Sequence, residues 1–128
     1  MLSYLHGYHA GNHADLIKHA VWLAVLDRLH QKAKPFTLID THAGAGCYPL
    51  TGEQAQKTQE YKSGVALLQG WQPVHPVLQR YLQVLKGFSE RHQYPGSPLI
   101  SVSQLRDADH LHLMELHPGE HERLRTAI

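Results

Sequence analysis

Residues 36–46 read Phe36-Thr37-Leu38-Ile39-Asp40-Thr41-His42-Ala43-Gly44-Ala45-Gly46. The run from Phe36 to Ile39 is β-rich and ends in a carboxylate, the pattern of a short buried strand. Pro35 precedes it and ends any helix arriving from upstream. The Gly-x-Gly that follows lets the backbone turn sharply and approach a ligand with no Cβ in the way. A strand closed by Asp40 and followed by a glycine turn is one half of a Rossmann-type nucleotide- or nucleoside-binding unit, so the expected class is α/β. A Gly-x-Gly alone is also a common plain turn. The second half of the unit has to be found elsewhere in the chain.

Upstream, Asn12 is a good N-cap, and Asp15 stands three residues later at the positive helix end. The stretch to about Ala33 holds Leu16, Ile17, Ala20, Val21, Leu23, Ala24, Leu26 and Leu29, with no Gly or Pro inside. This predicts a helix that buries a broad apolar face and carries Asp15, Lys18, His19 and Trp22 on the opposite stripe. Before it, residues 1–11 are short of aliphatics and hold Tyr4, His6, Tyr8 and His9. They read as an irregular, flexible, polar-aromatic arm.

Downstream, residues 51–60 are polar, a loop and a helix start. Amphipathic helices are expected at about 60–70 (Tyr61, Val65, Leu67, Leu68) and 75–91 (Val77, Tyr81, Leu85, Phe88). Tyr94-Pro95-Gly96-Ser97-Pro98 is a break that also opens a new helix, with Ser97 as N-cap and Pro98 at its first position. Leu111 to Glu115 reads as a second strand ending in a carboxylate, and 120–127 as an opening helix. Glu115 suits the acidic residue that accepts hydrogen bonds from ribose hydroxyls, but it lies far beyond the roughly 20 residues expected after the glycines. If 48–95 form an inserted helical pair, the order becomes strand, glycine turn, insertion, helix from Ser97, strand, Glu115. The plainer alternative makes Ser97 only a cap and Glu115 only a surface residue. The third glycine of the dinucleotide pattern is missing. A ligand with no pyrophosphate, such as S-adenosylmethionine, therefore fits better than NAD.

The chain has 128 residues, 42% hydrophobic and 18% charged, which suits one folded domain and excludes a disordered chain. It holds no apolar run of membrane-spanning length and no signal-peptide pattern. Its single cysteine, Cys47, excludes an internal disulfide and suits a reducing compartment, so a soluble cytoplasmic protein is expected. A net charge of +1 does not advertise nucleic-acid binding. Twelve histidines raise a metal-dependent hydrolase or metal-binding module as an alternative. His9/His13 and His117/His121 are four apart, but there is no His-Glu-x-x-His and Cys47 has no thiol partner, so no metal is expected. A non-catalytic RNA-binding module, built on Tyr4, His6, Tyr8, His9 and Lys18, is a second alternative. His30, His75 and His110 are assigned only solvent exposure.

The stretches 2–19 (LSYLHGYHAGNHADLIKH), 38–46 (LIDTHAGAG), 94–99 (YPGSPL) and 114–118 (MELHP) closely resemble the bacterial 23S ribosomal RNA adenine-N6 methyltransferase family. The resemblance runs the length of the chain in order. It implies a Rossmann-like S-adenosylmethionine-dependent methyltransferase fold with a helical insertion after the first strand. It also implies that Lys18, His19, His42, Gly44, Gly46, Ser97 and Glu115 hold the cofactor. Tyr4, His6 and His9 would belong to an arm that closes over cofactor and substrate RNA, with Tyr4 touching the RNA. The implied substrate is one adenine of free or early-assembly 23S rRNA, and the implied enzyme is a cytoplasmic monomer.

The sequence departs from this pattern at one place. The family catalyses with Asp-Pro-Pro-Tyr, and here there is no Pro-Pro and no Asp followed by Pro. No catalytic residue is expected in the chain. Residues 1–128 read as the N-terminal half of such an enzyme: arm 1–11, first helix to glycine turn 12–47, insertion 48–95, and second helix, second strand and start of a helix 96–128. Alone, it is expected to be inactive. The open edges of a two-stranded sheet are expected to make it poorly soluble.

Overall fold

A computed structural model describes residues 4–128; the first three residues of the arm lie outside it. A 3₁₀ turn at His6–Tyr8 leads into α1 (His13–His30) and β1 (Thr37–Asp40). Then come β2 (Cys47–Pro49), α2 (Glu53–Thr58), two 3₁₀ turns (Glu60–Ser63 and Val65–Leu68), α3 (Pro76–Ser89) and β3 (Gln93–Pro95). The chain finishes with α4 (Ser97–Gln104), β4 (His110–Leu113) and α5 (Pro118–Ala127). This is a mixed α/β fold. No helix among the described residues is long and apolar enough to cross a membrane.

β1 and β4 pair in parallel, from Thr37 opposite His110 to Asp40 opposite Leu113. Parallel neighbours need a long crossover, and here it contains the whole insertion and then α4. The second strand ends at Leu113, so Glu115 lies two residues past it rather than on it. The insertion is not purely helical. Its two ends are zipped by an antiparallel ribbon, Cys47 opposite Pro95 and Pro49 opposite Gln93. The expected helix at 60–70 is two 3₁₀ turns broken at Gly64, where the Val65 N–H donates to the Gly11 carbonyl at 2.8 Å and that close approach leaves no room for a Cβ. α1 stops at His30, short of Ala33.

The orientation of α1 is the main correction. Its buried stripe is Asp15, His19, Leu23 and Leu26, while Ile17, Val21 and Val25 are 65%, 58% and 51% exposed. Half of the stripe expected to face water therefore faces the core; Asp15 is satisfied by the neighbouring arm, and His19 and Trp22 by partners 75 and 79 residues away. The Trp22 indole N–H donates to Ser101 Oγ at 2.9 Å, and Arg80 of α3 reaches Asp27 at 2.6 Å, so α4 and α3 hold the helix in this setting.

One core joins all of this. Leu23 of α1, Ala45 of the glycine turn, Tyr48 of the ribbon, Val77, Tyr81 and Leu85 of α3, Tyr94 of β3 and Ile100 of α4 pack together. The insertion supplies much of the core and is not an appendage to it.

Candidate functional site

A cleft of about 880 Å³ opens beyond the C-terminal ends of β1 and β4, where ligands bind in open α/β sheets. The turn after β1 and the segment after β4 line it on one side. The start of α4, the polar residues of α1 and the arm complete it.

The turn is held by Asp40. This buried carboxylate accepts the His42 N–H at 3.2 Å on one oxygen and the Ser97 hydroxyl on the other. Gly44, at φ +71°, donates its N–H to Glu115 Oε2 at 2.8 Å, and the His117 N–H donates to Glu115 Oε1 at 2.9 Å. Two backbone amides thus fix the Glu115 carboxylate in the cleft wall. Each oxygen keeps acceptor capacity for a ligand. The Tyr48 hydroxyl accepts the Ala45 N–H at 3.0 Å from beneath, and burial pushes this phenol well above its ordinary value.

On α1, Asn12 caps the helix by accepting the Asp15 N–H at 2.9 Å. Asp15 is sealed between the His6 ring, at 2.7 Å, and the Gly11 N–H, at 3.0 Å. Burial works to raise this carboxyl, but His6, the nearby His19 and the Gly11 N–H together outweigh it and hold it below the ordinary value. His19 is 1% exposed, and burial pulls it down to about 4, so the ring is neutral at pH 7. Lys18 beside it is exposed on the cleft rim and is the cation of the pair.

The family model described as Ribosomal RNA large subunit methyltransferase D, RlmJ, matches residues 33–128. The chain belongs to this family. It is 46% identical over 129 residues to Ribosomal RNA large subunit methyltransferase J of Escherichia coli strain K12, and 43% identical over 130 residues to the protein of that name from Haemophilus influenzae. Each alignment covers 98% of this chain and 46% of the relative. The chain therefore spans about half the length of the curated relatives it matches. A crystal structure of protein LPL1258 from Legionella pneumophila superposes with a TM-score of 0.79 at 39% identity, over 91% of this chain and 44% of that one.

Most of the residues that the RlmJ resemblance singled out meet at the cleft. Tyr4, His6, His9, Lys18, His19, His42, Gly44, Ser97 and Glu115 all line it. Gly46 does not. At φ +84° it passes its carbonyl to the Gly96 N–H at 2.7 Å and leaves room for Leu124 and Ala127 of α5, so it joins the ribbon to the fold. Ser97 is the first residue of α4 and not its cap, because Gly96 holds the cap position and the Ser97 hydroxyl is taken by Asp40.

The arm is docked from Tyr4 onward rather than loose. Tyr4 stacks on the His9 ring and its hydroxyl meets His6 Nδ1 at 2.7 Å. His9 Nδ1 meets Glu60 at 2.8 Å, and the Thr58 hydroxyl donates to the Tyr8 carbonyl. Tyr4 itself remains 66% exposed. Of the histidines assigned to solvent, His75 and His110 are exposed and His30 is half-buried, and two of the three also make structural contacts. His75 caps α3 by accepting the Val77 N–H, and His30 lies against Phe36. His117, of the spaced pair, caps α5 by accepting the Gly119 N–H at 3.1 Å. Sequence reasoning missed Asp15 and Tyr48 as parts of the site. Asp15 reads as a helix-start acid, and no local signal ties it to His6 and Gly11.

Proposed function

We propose that this chain forms the cofactor-holding part of a Rossmann-like, S-adenosylmethionine-dependent enzyme that methylates N6 of an adenine in 23S ribosomal RNA in the cytoplasm. The observation that carries this reading is the convergence of Lys18, His42, Gly44 and Glu115 on one cleft beyond two parallel strands. The donor set fits the cofactor. Lys18 and His42 suit its carboxylate, and Glu115 suits the ribose hydroxyls. Gly44 lets the turn lie close over the Tyr48 hydroxyl, where a Cβ would clash, and the volume lies in the range of ligand sites, roughly 300–1,000 Å³. When bound, the cofactor supplies a sulfonium-activated methyl group. Tyr4, exposed at the cleft mouth, is suited to stack on an adenine drawn out of the RNA. The sequence has no Asp-Pro-Pro-Tyr, so no residue within 1–128 is assigned to orienting the amine.

Calorimetric titration of the 128-residue chain with S-adenosylhomocysteine tests this reading. Binding is expected, and Glu115→Ala and Lys18→Ala are expected to weaken it without unfolding the protein. No methyl transfer to a 23S rRNA transcript is expected from this polypeptide alone. Stabilisation by RNA with no response to S-adenosylhomocysteine would overturn the cofactor reading in favour of a binding module.

A further inference from the structure

Behind the cleft, three buried polar groups form a chain. His19 Nδ1 lies 2.7 Å from the Tyr94 hydroxyl, and the Tyr94 hydroxyl lies 2.7 Å from that of Tyr81. The His19 and Tyr94 rings stack at 5.6 Å. All three side chains are buried, and burial keeps both phenols protonated.

The direction of this chain follows from its inner end. Among the described residues, Tyr94 is the one hydrogen-bond partner of the Tyr81 hydroxyl. A buried O–H without an acceptor costs more than a spare lone pair, so Tyr81 donates to Tyr94. Tyr94 has then accepted from Tyr81, and its own proton goes to His19 Nδ1. The His19 proton is left on Nε2. Among the described residues, the one sealed side-chain polar atom without a partner is His30 Nε2. His19 Nε2 likewise has no hydrogen-bond partner among the described residues, and His19 lines the cleft, so this edge of the ring is the one left for a ligand there.

We propose that Tyr81 and Tyr94 are positioning residues that lock His19 as its Nε2–H tautomer, presenting a neutral hydrogen-bond donor to the carboxylate end of an amino-acid-bearing ligand beside Lys18. Only the identity of that ligand rests on the cofactor reading above. The lock is a property of the free protein. It gives the cleft a second donor for a carboxylate that does not depend on charge. It also keeps the His19 ring from accepting at that atom.

Nitrogen-15 long-range spectra of the histidine rings in the unliganded chain test the lock, with His19 assigned by its loss in His19→Gln. A pyrrole-type Nε2 and a pyridine-type Nδ1 are expected. Tyr81→Phe removes the inner donor, and the His19 shifts are expected to move toward a mixture of tautomers. Tyr94→Phe should weaken S-adenosylhomocysteine binding by about three- to tenfold, one hydrogen bond's worth. A protonated Nδ1 in the wild-type protein overturns the proposal, and so do His19 shifts unmoved by Tyr81→Phe. If the tautomer is as expected but S-adenosylhomocysteine does not bind, the cofactor reading falls and the lock stands.

Discussion

The Ser97 hydroxyl donates to the Asp40 carboxylate, tying the first turn of α4 to the last residue of β1 across 57 positions of sequence. Both side chains are buried. This bond closes the two halves of the strand–turn–helix unit that the insertion separates. Ser97→Ala would leave a buried carboxylate oxygen without its partner, a loss of about 1–3 kcal/mol. Urea unfolding should show a lower midpoint at unchanged slope. An unchanged midpoint would mean that the pair contributes nothing to stability.

Leu85 of α3 is buried in the same core as Leu23 of α1 and Ile100 of α4. Leu85→Ala is expected to destabilise the whole chain by about 2–5 kcal/mol. Near- and far-ultraviolet circular dichroism should still trace one coincident transition, the signature of one cooperative unit. Two separated transitions would show instead that the insertion folds on its own.

The glycine turn was legible because its chemistry is local. Gly44 occupies a left-handed conformation that favours glycine, and Asp40 closes a strand whose β-branched residues announce it. The inward face of α1 was not legible. Asp15 and His19 are polar, and what allows their burial is His6, the Gly11 N–H and Tyr94, the last of them 75 residues from His19. No periodicity reports such partners, so the stripe read as solvent-facing. The ribbon was missed because two three-residue strands, each containing a proline, carry almost no pattern. The break at Gly64 depends on the approach of Gly11, again a non-local fact. The cleft residues came from the resemblance. The sequence alone suggested the roles of Asp40, Gly44 and Glu115 but not their convergence with α1 and the arm.

Ile17, Val21, Val25 and Leu29 form an exposed apolar row along α1, with each residue four after the last. Apolar surface arranged this way promotes association. Val21→Glu together with Val25→Lys places an opposite-charge pair at the favourable spacing on the same face. The double variant should show less concentration-dependent association in sedimentation velocity. Its stability should stay within about 0.5 kcal/mol, as for ordinary surface changes. If association persists unchanged, the open edges of β1 and β4 are its cause rather than this row.

His19 makes stability depend on pH in a defined window. Its ordinary value is 6.5, and burial lowers it to about 4 in the folded chain. Between these values the unfolded chain binds a proton that the folded chain does not, so stability rises with pH across the window. The contribution is complete above pH 6.5 and is lost progressively as pH falls toward 4. A shift of this size corresponds to about 3 kcal/mol at most. Asp15 acts in the same direction at lower pH: its depressed carboxyl stabilises the fold above the ordinary carboxylate value, and this is lost as pH falls through its folded value. Urea midpoints measured from pH 8 to about pH 2 should therefore fall steeply below about 6.5. In His19→Gln, the 6.5-to-4 portion of that slope should flatten while the more acidic loss remains. A wild-type profile that is flat through this window would show that His19 is not held neutral by its burial.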